Sequence, residues 1–213
     1  MIAVGLLLAG CGSPSLAPTD PGANPATTVS VTHLPASPTA AVAKASCPAG
    51  QLVVGDLPLI DKKWSAGIDV ATIAAHAWQA DSYLTALKVS CQLFETDFRW
   101  QATFYSPTAQ AYYLSDTTEV VPASADPASV PSLEGVTFTF GAVYRALVKS
   151  GYDDAAAISP STGVDVRLNT ATSSFGPPAA PKDSVIYHIA IQRLGETKDV
   201  FVDGATGSVF RYT

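Results

Sequence analysis

The sequence predicts an α+β protein: two helix-on-antiparallel-sheet units in tandem. Three observations predict it. Apolar residues recur at helical spacing in two short stretches. Each stretch is followed by segments whose apolar residues alternate at period two. Gly, Pro and Asp-Gly turn signals separate those segments at short intervals. Runs of strands after a helix argue for a helix layered on a sheet, not for alternating βαβ units.

The chain opens on a signal segment, 1–11. Leu6-Leu7-Leu8-Ala9-Gly10-Cys11 is an apolar run, two small residues and a cysteine. It resembles the lipobox of bacterial lipoproteins, whose pattern is Leu, small, small, Cys. The resemblance implies a diacylglyceryl thioether on Cys11, cleavage just before it, and acylation (palmitate or similar) of the new amino terminus. Acyl chains gain about 0.8 kcal/mol per buried CH₂, enough to anchor a chain without a spanning helix. The apolar stretch from Met1 is shorter than the roughly 20 residues a span needs. A signal peptide ordinarily opens on a basic segment. Nothing basic precedes Leu6, so the natural start is expected upstream.

Residues 12–46 read as a disordered tether. They are almost wholly Gly, Ser, Pro, Thr and Ala, with Pro14, Pro18, Pro21, Pro25, Pro35 and Pro38 spaced through them. Such a stretch buries too little apolar surface to offset its ordering entropy. As a flexible coil it spans on the order of 30–35 Å.

The first α+β unit is placed at 47–122. After the strand-like Leu52-Val53-Val54, a helix is predicted over Asp69 to Ala80, with Asp69 as N-cap and Val70, Ile73, Ala74 and Ala77 as its buried stripe. Leu87, Val89, Cys91 and Leu93 then alternate with polar residues as a half-buried strand. Trp100 to Ser106 and Ala111 to Leu114 follow across the Ser106-Pro107 turn, and Thr117 to Val121 extends the sheet.

The second unit is placed at 123–213, after a loop of Ala, Ser and Pro. Phe140, Val143, Tyr144, Leu147 and Val148 form one helical stripe, with Thr139 as the cap and Gly151 as the stop. Strands are predicted at Val164 to Leu168, Val185 to Arg193, Val200 to Val202 and Val209 to Tyr212, with a proline-containing loop from Thr170 to Asp183. The last hairpins of the two units align weakly: Phe104-Tyr105-Ser106-Pro107 with Tyr112-Tyr113 lie over Phe201-Val202-Asp203-Gly204 with Val209-Phe210. Duplication and the general likeness of hairpins both account for this.

The segment Tyr187 to Ile191 through Val200-Phe201-Val202-Asp203-Gly204-Ala205-Thr206-Gly207-Ser208-Val209 resembles the end of a PepSY domain. That pattern is a strand, a turn, a strand ending in Val-Asp, then x-x-Thr-Gly and a closing strand. The resemblance covers a quarter to a third of the chain. It implies a small, extracytoplasmic, cystatin-like module without catalytic residues, of a family proposed to regulate or inhibit peptidases. The residues themselves read as a turn motif: Asp203 accepts from turn amides beside Gly204 and Thr206, and Gly207 takes a positive φ.

There are three cysteines. With Cys11 assigned to lipid, Cys47 and Cys91 remain. Outside the cytoplasm these can close a disulfide loop of about 45 residues, worth roughly 4 kcal/mol in the chain-entropy model. The other reading is two free thiols, with Cys91 a small core residue.

Charge excludes one class of partner. Charged residues are 14% of the chain and the formal net charge is -6, so the scattered Lys and Arg leave no footprint for nucleic acid. No metal set, Walker loop, G-x-S-x-G elbow or H-E-x-x-H motif occurs. His76 and His188 read as surface residues, and Asp153-Asp154 as adjacent carboxylates that point apart. An enzyme is not expected, and no cofactor is assigned. Aromatic density is the remaining signal: Trp100, Tyr105, Tyr112 and Tyr113 sit in one stretch, either packed under the helix or displayed as a binding platform. The expected function is a lipid-anchored, non-catalytic interaction module of the cell envelope, held at the membrane through lipid on Cys11. Its expected partner is an envelope protein, with cell-wall glycan or a small ligand as the alternative.

Overall fold

The computed structural model describes residues 47, 50–91, 97–124, 126, 129–172, 175–193 and 195–211. All fall within the unit Ala43–Thr213. The signal segment with Cys11, and the tether 12–46, lie outside the described residues, as do Leu93 and Tyr212.

The first helix, α1 (Leu57–Trp78), is longer than its periodicity suggested, at 22 residues. Pro58 stands in its first turn, where a missing N–H breaks no bond. Leu57, Ile60, Ile68, Ala71 and Ala75 are buried, and Trp64 and Trp78 pack beside them. These positions recur every three or four residues and form the true stripe. The expected stripe is corrected accordingly. Val70 and Ile73 are 69% and 70% exposed, Ala77 is exposed, and Asp69 lies in mid-helix rather than at a cap. Ala74 alone of that set packs against the core. The reason is that Leu57, Ile60 and Trp64, upstream of Asp69, decide which face turns inward. Gly67 completes that face, because a Cβ there would stand 2.7 Å from the indole Nε1 of Trp100.

After α1 come β1 (Tyr83–Ser90), β2 (Arg99–Ser106), β3 (Ala111–Leu114) and β4 (Glu119–Pro122). Helix α2 (Phe140–Lys149) follows, then β5 (Ala157–Ile158), β6 (Val164–Asn169), β7 (Ser184–Arg193), β8 (Glu196–Asp203) and β9 (Val209–Arg211). Among the described residues the nine strands form one antiparallel sheet, ordered β4-β3-β2-β1-β6-β7-β8-β9, with β5 on β7. The stretches 47–122 and 123–213 therefore meet strand to strand, through Leu87↔Val166 and Val89↔Val164. From that seam each runs outward as a four-strand meander preceded by its helix.

One sheet face carries the main core. Leu87, Val89, Phe104, Val164, Val166, Tyr187, Ile189, Val200 and Val202 are buried in it with the helix residues. In α2, Phe140, Val143 and Leu147 are buried as expected, whereas Val148 is 42% exposed. Gly151, at φ +87°, stops α2, with Tyr152 N–H donating to Leu147 O and Gly151 N–H to Val148 O, a Schellman end. Thr139 makes no side-chain cap. Asp61 of α1 caps α2 instead, its carboxylate accepting from Phe140 N–H at 2.8 Å and Gly141 N–H at 2.7 Å. A carboxylate answers both the orphan donors and the positive end of the helix dipole.

In its second half the opposite face is covered from the β6–β7 connection by Phe175 and Ala180, which pack against Ile186 and Phe201. Cys47 and Cys91 are disulfide-bonded, with Cα atoms 5.8 Å apart. The bond ties the lead-in of the folded chain to the end of β1.

Candidate functional site

The turn motif is assembled by its own backbone. Asp203 Oδ1 accepts from Ala205 N–H at 2.9 Å, and Oδ2 from Thr206 Oγ1 at 2.9 Å. Gly207 N–H returns to Asp203 O at 2.8 Å, and Gly207 has φ +69°. Gly204 lies against Tyr187, where a Cβ would come within 2.7 Å of the ring. With Asp203 1% exposed, both carboxylate oxygens are used inside the turn, and the motif holds β8 to β9.

The four aromatic residues do not share a surface. Trp100 packs beside Trp64 and the core, and Tyr113 is stacked on Trp78 at 5.7 Å. Tyr105 and Tyr112 lie on the other face, where Tyr83, Tyr105 and Tyr112 form a ladder with centroids 5.7 and 5.2 Å apart. Period-two alternation sends neighbours to opposite faces, and the helix layer then covers one pair. Tyr105 is fully buried; its hydroxyl has no hydrogen-bond partner among the described residues. Burial first, then the Tyr105 and Tyr112 phenols and the Glu134 carboxylate, push the Tyr83 hydroxyl above its usual range. Burial first, then Tyr105, does the same to Tyr112.

The titratable residues considered for catalysis do not come together. His76 Nε2 is 3.1 Å from Ser82 O at the end of α1. His188 sits on the far face, 2.7 Å from Asp199 and stacked on Phe201 at 4.6 Å. Asp154 accepts from the Tyr144 hydroxyl at 3.1 Å, while Asp153 accepts from Ala155 N–H at 2.9 Å. Among the described residues no group of three His, Cys, Asp or Glu side chains could hold a metal ion. Likewise, no described helix is long and apolar enough to cross a membrane.

Three surface features remain. The first is the ridge of Val70 and Ile73 on α1, two large aliphatic side chains in solvent. The second is a shallow apolar groove of about 220 Å³ beside the same helix, lined by Trp64, Ile68, Leu84, Leu133 and Phe138, with His76 and Ser82 at its rim. Ser82 Oγ is buried without a partner among the described residues. The third is a polar notch beyond the end of α2, lined in part by Arg193, Lys198 and Arg211. Sequence reasoning assigned the ridge to the core and passed over the notch. The available signal for the notch was Arg193 continuing the apolar alternation Ile189, Ile191.

No protein-family model matches the chain, and no curated protein or solved structure matches it at a significant level.

Proposed function

We propose that this chain is a lipid-anchored, non-catalytic interaction module on the extracytoplasmic side of a bacterial membrane, binding an envelope protein through the outer face of α1. The observation that carries the reading is the exposure of Val70 and Ile73 on a helix whose opposite face is already buried in the core. Single exposed apolar residues are ordinary on any surface. Here two large ones lie one turn apart on one helix face, the spacing that helix-face recognition uses. The lipobox ending in Cys11 supplies the anchor, and the Cys47–Cys91 disulfide suits an oxidising compartment.

The reading extends to two PepSY-like units in tandem. Its support is the strand order, which mirrors about the β1–β6 seam with a helix ahead of each half. The hairpin likeness supports it less, because it lays β2–β3 over β8–β9, one strand out of step with the mirror. The family resemblance makes an envelope peptidase the first partner class to try. The alternative, a lipoprotein that binds a small ligand, is favoured by the notch beyond α2; a glycan platform has no basis in rings that are mostly buried.

The test is site-specific photo-cross-linking in cells of the source bacterium, from position 73, with position 117 in the exposed β3–β4 turn as the control. A discrete adduct from 73 that is missing from 117 supports the docking face. Equal, diffuse labelling at both positions refutes it.

A further inference from the structure

The sheet face beneath the helices is apolar until α2 ends, and then it changes character. On β7 the inward positions run Tyr187, Ile189, Ile191 and then Arg193; on β8 they run Val202, Val200 and then Lys198. On β9, Val209 is followed by Arg211. The register places Ile191 opposite Lys198, Arg193 opposite Glu196, and Val200 opposite Arg211. Arg193, Lys198 and Arg211 therefore stand on three adjacent strands in one diagonal row. Successive members are diagonal neighbours about 7–8 Å apart, within reach of long side chains. The helix that would have covered these positions stops at Lys149.

The space left behind is a cavity of about 410 Å³, walled by Ser150, Gly151 and Tyr152 and floored by Ile191 and the three cations. That volume is in the range of small-molecule sites. The chain has 12 Lys and Arg and a net charge of -6, so three cations in one cavity run against the field of the whole molecule. Arg211 is held in place, donating to Ser150 O at 3.3 Å with its guanidinium 5.5 Å from the centre of the Tyr152 ring. Lys198 has Glu196 at 3.7 Å, both side chains being largely exposed. Asp199, also in the lining, is engaged by His188. Among the described residues no ion pair engages Arg193.

We propose that this notch binds a phosphate monoester, with the phosphate over Lys198 between the two guanidinium groups and an apolar or planar body resting on Ile191 and Tyr152. A phosphate offers three peripheral oxygens to donors arriving from three strands, and each guanidinium presents a fork that matches such an oxyanion. The ligand's source is either a soluble phosphorylated metabolite or a lipid phosphate at the membrane surface.

The test uses the full chain carrying Cys11→Ser, so that no lipid on Cys11 reaches the vesicles. Phenyl phosphate and inorganic phosphate are titrated while backbone amide shifts are followed by NMR. In parallel, the chain is sedimented with phosphatidylcholine vesicles, with and without 20 mol% phosphatidic acid, a composition of about one lipid in five chosen for surface charge. Saturable shifts at Gly151, Tyr152, Thr197 and Lys198 with phenyl phosphate, weakened about tenfold or more in R193Q and K198Q, support the site with a soluble ligand. Sedimentation only with phosphatidic acid, lost in the same variants, supports it with a lipid source. Both substitutions are at exposed positions, and an unchanged thermal melt shows that the variants are folded. If neither probe binds at millimolar concentration, or if binding is unchanged in both variants, the proposal is overturned. The outcome is independent of the cross-linking at position 73.

Discussion

Removing the Asp61 carboxylate tests how the two helices are held together. In the structure that side chain accepts the first two amide protons of α2, at 2.8 and 2.7 Å, across 79 and 80 residues of sequence. A helix N-cap is worth about 0.5–2 kcal/mol, and a carboxylate at the positive end of the dipole adds about 0.3–1 kcal/mol. Asp61 is exposed, so solvent screening keeps the sum in the lower part of that range, about 1–2 kcal/mol for Asp61→Ala. For a unit of about 150–250 residues, 1 kcal/mol moves Tm by about 2–4 °C, giving an expected fall of about 2–8 °C. Asp61→Asn, which keeps one acceptor and loses the charge, should fall about half as far. Thr139→Ala should cost less than Asp61→Ala, since the Thr139 side chain makes no cap and touches only Gly204 O, at 3.5 Å, and the Tyr187 hydroxyl. The assay is thermal unfolding followed by far-UV circular dichroism, with urea titration for the free energies. A larger loss in Thr139→Ala than in Asp61→Ala would refute the assignment of the cap.

Three further outcomes follow from the same structure. The double variant Cys47→Ser/Cys91→Ser should lose roughly 4 kcal/mol by the chain-entropy model. In the wild-type protein isolated from its source organism, mass spectrometry without reductant should find both cysteines protected from alkylation; labelling of both would remove the disulfide. Gly67→Ala gains about 1 kcal/mol of helix propensity but must displace the Trp100 ring, at about 1–3 kcal/mol. The net is a loss of about 1 kcal/mol with altered tryptophan emission, and a more stable protein with unchanged emission contradicts the packing. Val70→Ser and Ile73→Ser should each change stability by no more than about 0.5 kcal/mol, as exposed positions do. A loss above about 2 kcal/mol for either would mean that this face is buried.

The strands were legible because alternation is a local signal. Ala111–Leu114 and the start of β6 at Val164 lie where the period placed them, and β2 and β7 each start one residue earlier than expected. Strands β1 and β8 start four residues before Leu87 and Val200, and β1 ends at Ser90, short of Cys91. Helix α2 was equally clear, since its stripe, Phe140, Val143 and Leu147, and its Gly151 stop fall within one short window. Helix α1 misled for a physical reason. Its buried face relies on Ala71 and Ala75, small residues with weak hydropathy, whereas the larger Val70 and Ile73 stand in solvent. Leu57, Ile60, Trp64, Ile68 and Trp78 reveal the true face, and Pro58, Lys62, Lys63 and Gly67 interrupt the apolar pattern between and around them. The β1–β6 seam was not legible at all. Pairing Val89 with Val164 is a non-local choice, and several strands had apolar faces equally suited to the seam. The Asp61 cap escaped for the same reason, as local pattern favours Thr139, adjacent in sequence. Of the candidate site, the Asp203 to Gly207 turn could be read because its partners are its own neighbours. The notch could not, since its three cations come from three strands.

The central claim is that this module works tethered at a membrane, and the chemistry of Cys11 tests it most directly. The protein is to be extracted from membranes of its source organism, and its amino-terminal peptide analysed by mass spectrometry. The account predicts a mature chain beginning at Cys11 and carrying diacylglyceryl and acyl groups. An unmodified Cys11 within a longer or differently cleaved chain would contradict it.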